Sequence, residues 1–362
     1  MSTQAPARLG TTDRLLPVWI IAAMASGLLL AVFAPAVGKF LHAFTIGSVS
    51  VPIAVGLLVM MYPVLAKVQY SDAGAVARDR TLMISSLVMN WLVGPALMFT
   101  LAWIFLPDLP EYRTGLIIVG LARCIAMVMI WNDLACGDRE AAAFLVAINS
   151  VFQVGAFGAL GWFYLQVLPS WLGLPTTSVE FSFWAITLSV IIFLGIPLLA
   201  GYLSRRIGEK TRGRDWYEQK FLPRISPLAV GGLLLTIVML FALQGQQVID
   251  RPWDVARIAL PLLAYFVVTF LLGFGLGLLV GLGYERTATL AFTAAGNNFE
   301  LAIAVAIGTF GATSGQALAG IVGPLIEVPV LVALVYVSLW LRGRLFRASA
   351  DTPAPLTEKV AS

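Results

Sequence analysis

Ten apolar segments of membrane-spanning length constrain this sequence more than any other feature. A helix needs about 20 apolar residues to cross a hydrocarbon layer about 30 Å thick. Only 12% of the 362 residues are charged and 59% are hydrophobic, too few charges to cover a soluble protein of this length. The segments are 15–35, 44–66, 81–106, 113–134, 141–168, 180–204, 222–243, 255–282, 287–310 and 316–341. The sequence therefore predicts an all-α integral membrane protein with ten transmembrane helices and no extramembrane domain of any size.

The positive charges predict how these helices are oriented. With the N-terminus in the cytoplasm, 18 of the 23 Lys and Arg residues fall on the cytoplasmic side. Four lie on the opposite side and Arg123 lies inside a segment. Cytoplasmic loops of membrane proteins carry an excess of Lys and Arg. We therefore expect a multi-pass inner-membrane protein with both termini cytoplasmic, and the net charge of +4 gives no reason to predict a nucleic-acid partner.

A weak internal repeat divides the chain into two halves. The string PIAVGLL from Pro52 matches PLAVGGL from Pro227, and the pair Arg-Thr opens both the fourth segment, at Arg113, and the ninth, at Arg286. Five spans per half turn the second copy upside down, as in many secondary transporters. The predicted regions are a cytoplasmic N-terminus 1–14, a first five-helix repeat 15–204, a basic cytoplasmic linker 205–221, a second five-helix repeat 222–341 and a cytoplasmic tail 342–362, expected to be disordered.

Polar residues interrupt the fourth and ninth segments near their centres. The fourth reads GLARCIAMVMIW and the ninth reads FTAAGNNFELAIAV. Counting eleven residues from Arg113 and from Arg286 reaches Cys124 and Asn297, about 16 Å into each helix and near the bilayer midplane. Interrupted helices at corresponding positions of two inverted halves are typical of a transport site, because unwound backbone is tolerated only beside a cavity or packed protein.

The clearest ionisable residues inside the segments are Arg123, Glu300 and Glu327, and they are the first candidates for function. A charge near the bilayer centre costs roughly 2.5–3.5 kcal/mol. Glu300 is interpreted as a proton carrier or cation ligand, with a structural ion pair to Arg123 as the alternative. Glu327, between two prolines in GPLIEVPVLV, is interpreted as part of a proton relay or as a hydrogen-bonding support for the interrupted ninth helix.

Cys124 has two interpretations. A buried cysteine usually acts as a small hydrophobic residue. Beside Arg123 and a helix break, its thiolate is also a ligand that a soft metal or metalloid prefers. Cys136, in the polar string NDLACGDRE, is expected to be incidental. The single histidine excludes a histidine-based metal site, the lack of a P-loop argues against ATP hydrolysis, and no cofactor is predicted.

Several long strings resemble the arsenite efflux permeases of arsenical resistance, within the bile acid, arsenite and riboflavin transporter superfamily. The resemblance covers the chain from about 15 to 345, and hydrophobic composition does not account for its polar parts. The strings are MYPVLAKVQY, NWLVGPALMF, FLPDLPEYRTGLIIVGLARCIAMVMIWNDLACGDRE, AINSVFQV, FTAAGNNFELAIAVAIGTFG and GPLIEVPVLV.

This resemblance implies a fold and an activity. The fold has two inverted five-helix repeats, with helices 4 and 9 broken and crossing near the midplane. The activity is secondary transport that expels arsenite, and in some members antimonite, in exchange for protons. The family's essential cysteine and glutamate fall on Cys124 and Glu300. The chain departs from the family at Cys136, where a lysine usually precedes Gly-Asp.

The site hypothesis combines these residues. Cys124, Asn297 and Asn298 are expected to bind arsenite, with Cys124 as the arsenic(III) ligand. Glu300 and Glu327 are expected to couple transport to protons, with Arg123 adjusting the ionisation of its neighbours. The expected partners are arsenite, protons and the lipid bilayer, and no oligomeric state is predicted.

Two other functions compete with this hypothesis. A sodium-coupled carrier of organic anions, as in the bile acid branch, would depend on sodium and would not need Cys124. A membrane-embedded enzyme would use Glu300 and Glu327 as acid and base, but no metal site, nucleophile motif or phosphate loop accompanies them. The sequence therefore predicts a transporter and not an enzyme.

Overall fold

A computed structural model describes residues 15–46, 49–67, 79–125, 127–175, 183–311 and 313–346. The predicted N-terminal region 1–14 and residues 347–362 of the predicted tail lie outside the described residues. The described chain is helical apart from short connections and one antiparallel hairpin, in which β1 (Thr45–Ile46) pairs with β2 (Val49–Ser50). Helices dominate because a backbone crossing lipid must satisfy its polar groups within the segment.

Thirteen helices occur within the described residues. Their bounds are α1 Leu16–Phe33, α2 Pro35–Ala43, α3 Val51–Ala66, α4 Arg80–Phe105, α5 Pro110–Leu121, α6 Met127–Leu134, α7 Arg139–Trp171, α8 Phe183–Arg212, α9 Leu222–Asp250, α10 Pro252–Leu279, α11 Tyr284–Ala295, α12 Phe299–Phe310 and α13 Gly315–Leu345. Two short helical segments, Arg214–Trp216 and Tyr217–Phe221, lead directly into α9. The predicted linker 205–221 is therefore helical except at Gly213.

Six of these helices are long and apolar enough to cross a membrane by themselves: α4, α7, α8, α9 with its leading segments, α10 and α13. The helices α1 and α2 form a seventh candidate, bent by 100° at the break between Phe33 and Pro35. The apolar helices α3 and α12 are shorter. The predicted all-helical membrane protein is confirmed, whereas ten complete spans and their inverted arrangement stay predictions, because two of the ten segments are interrupted.

Four wide π-helical turns interrupt the long helices. Each ends two residues before a proline, and the turns are Met89–Val93 before Pro95, Phe163–Val167 before Pro169, Ile191–Gly195 before Pro197 and Tyr217–Phe221 before Pro223. A proline ring inside an α-helix clashes with the carbonyl four residues earlier. The wider turn relieves this clash and allows the helix to continue through the proline.

The helices pack in two groups. One group consists of α1, α2, α3 and α9, and the other of α4, α5, α6, α7, α10, α11, α12 and α13. The first half of α8 packs on α7 and α12, and its second half packs on α3, so α8 bridges the groups. The interrupted helices α5–α6 and α11–α12 belong to the second group and carry the residues of the predicted site.

Candidate functional site

The two interrupted helices meet at their breaks. The chain leaves α5 after Leu121 and α11 after Ala295, and the extended residues Arg123 and Asn297 pair as an antiparallel β-bridge. The backbone N–H of Asn298 donates to the carbonyl of Ala122 at 2.9 Å. The interruptions predicted from the sequence are therefore confirmed, and the polar groups that they free satisfy one another.

Corresponding residues of the two breaks make corresponding contacts. The N–H of Cys124 donates to the carbonyl of Gly296 at 3.4 Å, which mirrors the bond from Asn298 to Ala122. In each pair the later residue lies 174 positions after the earlier one: Ala122 and Gly296, Arg123 and Asn297, Cys124 and Asn298. Exchanging each residue for its counterpart in the other half of the chain therefore reproduces the same hydrogen bonds.

Cys124 and Asn298 also begin the second helices in the same way. The Sγ atom of Cys124 accepts a hydrogen bond from the N–H of Val128 in α6 at 3.3 Å. The Oδ1 atom of Asn298 accepts one from the N–H of Leu301 in α12 at 2.9 Å. The first N–H groups of a helix have no partner within it, so side-chain acceptors at this position stabilise the new start. Cys124 is 4% exposed, and its sulfur lies 3.6 Å from the position that a Cβ atom on Gly296 would take.

The two asparagines each leave one polar atom without a partner. The amide of Asn297 donates to the carbonyl of Val119 at 2.6 Å through Nδ2, while its Oδ1 has no hydrogen-bond partner among the described residues. Asn298 uses its Oδ1, as described above, and its Nδ2 has no partner in the part of the chain that the structure describes. Both residues are 2% exposed. Buried polar groups are normally paired, so this acceptor and this donor are available to a ligand.

Arg123 is fully buried and holds three helices together. Its guanidinium donates through Nη1 to the hydroxyl of Tyr265 at 2.9 Å and to the carbonyl of Ala294 at 3.4 Å, and through Nη2 to the carbonyl of Gly120. A Cβ atom at Gly94 would lie 2.7 Å from Nη1, so glycine lets α4 pass close to this guanidinium. No carboxylate of the described residues lies within 4.0 Å of this guanidinium, so the alternative ion pair with Glu300 is not formed.

The two predicted carboxylates lie in different surroundings. Glu327 of α13 is 1% exposed, and its Oε1 accepts a hydrogen bond from the N–H of Asn297 at 3.3 Å. The supporting role that the sequence offered for Glu327 is therefore confirmed, and its role as a relay stays a prediction. Glu300 lies in the first turn of α12 and lines a cavity against α9.

Ionic and polar contacts tie the start of α5 to the start of α10. Arg257 donates to both carboxylate oxygens of Asp108, one of them at 2.8 Å, and this lowers the pKa of Asp108 from 3.8 to about 2. The hydroxyl of Tyr112 donates to Asp254 at 3.0 Å. Because the pKa of Asp108 is lowered, its pairing with Arg257 persists at every physiological pH and is lost only as the pH falls toward 2.

A second charged cluster lies at the start of α11. Arg286 pairs through Nη1 with Asp79 at 2.5 Å and through Nε with Asp138 at 3.5 Å. Asp79 and Asp138 accept hydrogen bonds from the first turns of α4 and α7. Arg286 therefore joins the starts of three helices in the group that carries the site.

Comparison with known proteins decides the family. The model of the sodium bile acid symporter family matches residues 54–251. The Acr3 arsenical-resistance protein of Corynebacterium glutamicum is 64% identical over 349 residues, which cover 96% of this chain and 94% of that protein. The chain belongs to the Acr3 arsenical-resistance family. It is therefore a multi-pass membrane transporter and not an enzyme.

Two further relatives extend this result. The Acr3 protein of Alkaliphilus metalliredigens is 32% identical over 340 residues, which cover 91% of this chain and 93% of that protein. An uncharacterized transporter of Synechocystis is 36% identical over 346 residues, which cover 90% of this chain and 88% of that protein. The resemblance to arsenical-resistance permeases is confirmed over nearly the whole length of this Acr3-family chain.

Gln153 is the site residue that the sequence reasoning missed in this Acr3-family chain. Its Oε1 accepts from the N–H of Arg123 at 2.8 Å, and its Nε2 donates to the carbonyl of Arg123 at 3.2 Å. Gln153 follows Arg123 by 30 residues, as Glu327 follows Asn297. The signal was a polar side chain in the middle of the apolar helix α7, on the same face as Asn149, which accepts a hydrogen bond from Trp91.

Replacing Gln153 is expected to impair both stability and transport in this Acr3-family chain. Gln153→Leu keeps the size of the side chain but leaves the buried N–H and C=O of Arg123 unpaired, which costs about 1–3 kcal/mol for each group. Gln153→Glu keeps the accepting oxygen and should lose less. Thermal unfolding in detergent measures the effect, with the exposed neighbour Val151→Ala as the control. Equal stability of Gln153→Leu and Val151→Ala would contradict the clamping role.

Proposed function

We propose that this chain expels arsenite from the cytoplasm in exchange for protons and so gives arsenic resistance, with antimonite as a second substrate to be tested. The observation that carries the proposal is the meeting of Cys124 with Asn297 and Asn298 at the crossing of two broken helices. A soft thiol and unpaired amide atoms, buried at the same contact, suit a ligand that is part metalloid and part hydroxyl. The close relatives are arsenical-resistance proteins, which supports the same substrate.

The architecture proposed for this activity is a pair of inverted five-helix repeats within ten spans. The matched contacts across the crossing support it, because a two-fold relation between halves produces equal separations for each pair of corresponding residues. Gln153 and Glu327 extend the match to α7 and α13, since each side chain accepts the backbone N–H of the break residue in its own half. An inverted repeat of this kind supplies the two related conformations that alternating access requires.

The chemistry proposed for Cys124 is a reversible ligand exchange at arsenic. At neutral pH arsenite is mostly the uncharged trihydroxide. The sulfur–arsenic bond forms as one arsenic–oxygen bond breaks, and the departing hydroxyl leaves as water with the thiol proton. The Oδ1 atom of Asn297 can accept from a remaining hydroxyl, and the Nδ2 atom of Asn298 can donate to one. Water reverses the exchange when the site opens to the outside.

The proton is proposed to bind Glu300, with Glu327 as a second relay group and Arg123 as the fixed positive charge of the site. An uncharged substrate gains no driving force from the membrane potential, so a coupled ion must supply the work. Protonation of Glu300 from the outer side would weaken the hold on arsenic. The helix groups would then move against one another and carry the site between the two faces of the membrane.

The orientation proposed is that of an inner-membrane protein with both termini in the cytoplasm. The Lys and Arg residues of the chain support it, because most of them lie on one side in that arrangement. Arsenite then enters the site from the cytoplasm, and the exchanged proton enters from outside.

Transport into everted membrane vesicles tests the proposed function. Vesicles that contain the chain are expected to accumulate arsenite when their lumen is acidic, by about tenfold per exchanged proton for each pH unit when the membrane potential is held at zero. A protonophore should abolish the accumulation. Vesicles without the chain are the control, and accumulation that persists with the protonophore would contradict proton exchange.

A second candidate function is sodium-coupled transport of an organic anion, and the matching family description favours it. It predicts that uptake requires Na⁺ and does not require Cys124. Replacing Na⁺ by choline in the same vesicles separates the two functions. Arsenite accumulation should be unchanged if protons are the coupled ion.

A further inference from the structure

The connection between α8 and α9 is a helical hairpin rich in basic residues. We call residues 203–224 the basic hairpin, which comprises the end of α8, a turn at Gly213, the two short helical segments and the start of α9. Gly213 has φ +86°, a conformation that favours glycine. After this turn the chain returns along α8, since a Cβ atom at Gly208 would lie 2.6 Å from the ring of Tyr217. The hairpin contains seven Lys and Arg but only three Asp and Glu.

Two buried residues fix the basic hairpin against α3. Arg205 is 5% exposed and donates through Nη2 to the carbonyl of Lys67 at 3.1 Å. The hydroxyl of Tyr217 donates to the carbonyl of Ala66 at 3.2 Å. The last carbonyls of a helix have no partner within it, so these two bonds satisfy the end of α3. The hairpin therefore has a defined position, and Arg205 is not available to a ligand.

Four other cations of the basic hairpin are exposed and have neither an ion pair nor an aromatic stack among the described residues. They are Arg206, Lys210, Lys220 and Arg224. The two glutamates of the hairpin are already paired, Glu209 with Arg205 and Glu218 with both Arg205 and Arg214. Asp215, near the turn, is the third acidic residue of the hairpin. The four cations thus form an exposed positive surface.

On α8, a lipid-facing stripe leads directly to this surface. Leu199, Leu203 and Ile207 recur every four residues and are 59%, 42% and 58% exposed. Residues at this spacing share one face of a helix, and α8 is apolar enough to cross a membrane. Arg206 and Lys210 follow Leu203 and Ile207 by three residues and so continue the same face. The first two cations therefore lie where the contact with lipid chains ends.

The start of α9 shows the same order in reverse. Lys220, Arg224 and Leu228 recur every four residues, and Leu228 and Leu235 are 50% and 55% exposed. Here the cations precede the lipid-facing side chains along one face of the helix. Lys and Arg at the ends of a span extend their charged groups to the level of the lipid headgroups. Both arms of the hairpin therefore present cations at that level.

The spacing of the cations suits a phosphate group. Arg206 and Lys210 are four residues apart, as are Lys220 and Arg224, which corresponds to about 6 Å along a helix. Each pair combines a guanidinium, which binds a phosphate through two N–H groups, with an ammonium point charge. A free anion or an acidic protein would use the charges but would gain nothing from the stripes. A phospholipid uses both, since its chains lie against the apolar stripe.

We propose that the basic hairpin binds anionic phospholipids of the adjacent leaflet, with one phosphate between Arg206 and Lys210 and another between Lys220 and Arg224. In the orientation proposed above, this is the cytoplasmic leaflet, whose surface potential is negative. The bound lipids hold the junction of α8 and α9 at the level of the headgroups. This inference goes beyond the proposed function and does not depend on the substrate.

The test counts the phospholipids that the full chain binds in detergent, by native mass spectrometry with phosphatidylglycerol or phosphatidylcholine. The wild type is expected to bind two phosphatidylglycerol molecules about 25-fold more tightly than phosphatidylcholine, about fivefold for each cation of a pair. Arg206→Gln/Lys210→Gln and Lys220→Gln/Arg224→Gln should each retain one such molecule, and the fourfold variant should retain none. Arg342→Gln/Arg344→Gln removes two exposed charges from the end of α13 and should retain both.

Thermal unfolding gives an independent measurement of the same binding. Phosphatidylglycerol should raise the Tm of the wild type, because a ligand that binds only the folded state stabilises it, and should not raise that of the fourfold variant. The rise should shrink between about 0.1 and 1 M salt, as the screening length falls from about 10 to 3 Å. Inorganic phosphate should not reproduce it.

Three results would overturn the lipid surface. They are a preference for phosphatidylglycerol that survives in the fourfold variant, an equal loss in Arg342→Gln/Arg344→Gln, and equal stabilisation by inorganic phosphate. The first two would show that the hairpin is not the site, and the third would indicate a site for free anions. None of them affects the proposed transport of arsenite, which the everted vesicles test separately.

Discussion

Cys124→Ala is expected to abolish arsenite transport while the fold persists. The substitution removes the thiol proposed to bind arsenic, and alteration of a residue that merely supports a ligand already costs a metal site about 10- to 100-fold in affinity. We expect the rate of arsenite uptake into everted vesicles to fall by more than about 100-fold. The loss of one buried sulfur, together with its hydrogen bond from Val128, should cost only about 1–2 kcal/mol of stability.

The chain contains its own control for this experiment. Cys136 is the second free cysteine and is exposed, in the turn between α6 and α7. Cys136→Ala should leave arsenite uptake unchanged, and in that background arsenite should protect Cys124 from alkylation by a membrane-permeant maleimide. Normal uptake by Cys124→Ala would refute the thiol mechanism and would favour the sodium-coupled carrier of organic anions.

The helix breaks could be predicted from sequence because their cause is local. Gly296, Asn297 and Asn298 are consecutive poor helix formers, and asparagine side chains compete for backbone hydrogen bonds. Around Cys124 the signal was a charged residue in an apolar run, which needs nearby polar partners. These signals correctly marked where each helix stops. They could not show that the two breaks pair with each other, which depends on the packing of helices far apart in the chain.

The partners of the buried charges could not be predicted for the same reason. Arg123 and Glu300 were the obvious ion pair in a short list of charges, yet Arg123 is held by Tyr265 and by backbone carbonyls. A guanidinium has five donors and can be satisfied by neutral acceptors. Gln153 was not predicted because glutamine is not ionisable, and the candidates inside the apolar segments were chosen by the free-energy cost of burying a charge.

The number of continuous spans depends on short helix breaks, which do not change the mean hydropathy of a long window. A window over 113–134 or 287–310 records a single apolar segment, although each contains two short helices. The π-helical turns show the opposite case, since the prolines that accompany them are visible in the sequence and the helices nevertheless continue. Proline at these positions therefore does not end the helices, whereas consecutive polar residues do.

Glu300→Gln is expected to abolish proton-driven accumulation of arsenite. Glutamine has the shape of glutamate but cannot take up a proton, so with the membrane potential held at zero the lumen of an acid-loaded vesicle should reach only the external arsenite concentration. That is a loss of about tenfold per exchanged proton for each pH unit. Exchange of labelled for unlabelled arsenite should continue, because Cys124 is unaltered. Burying a neutral amide costs less than burying a charge, so the variant should fold.

Two further substitutions identify what a loss at Glu300 means. Glu140→Gln changes an exposed carboxylate at the start of α7 and should leave accumulation unchanged. Glu327→Gln keeps an oxygen that can accept the N–H of Asn297, as Gln153 does for Arg123, so the crossing should survive. If Glu327 is a relay, accumulation falls in this variant as well. Unchanged accumulation by Glu327→Gln would leave Glu327 as a support for the backbone and Glu300 as the sole proton carrier of the proposed mechanism. Wild-type accumulation by Glu300→Gln would contradict proton exchange at Glu300.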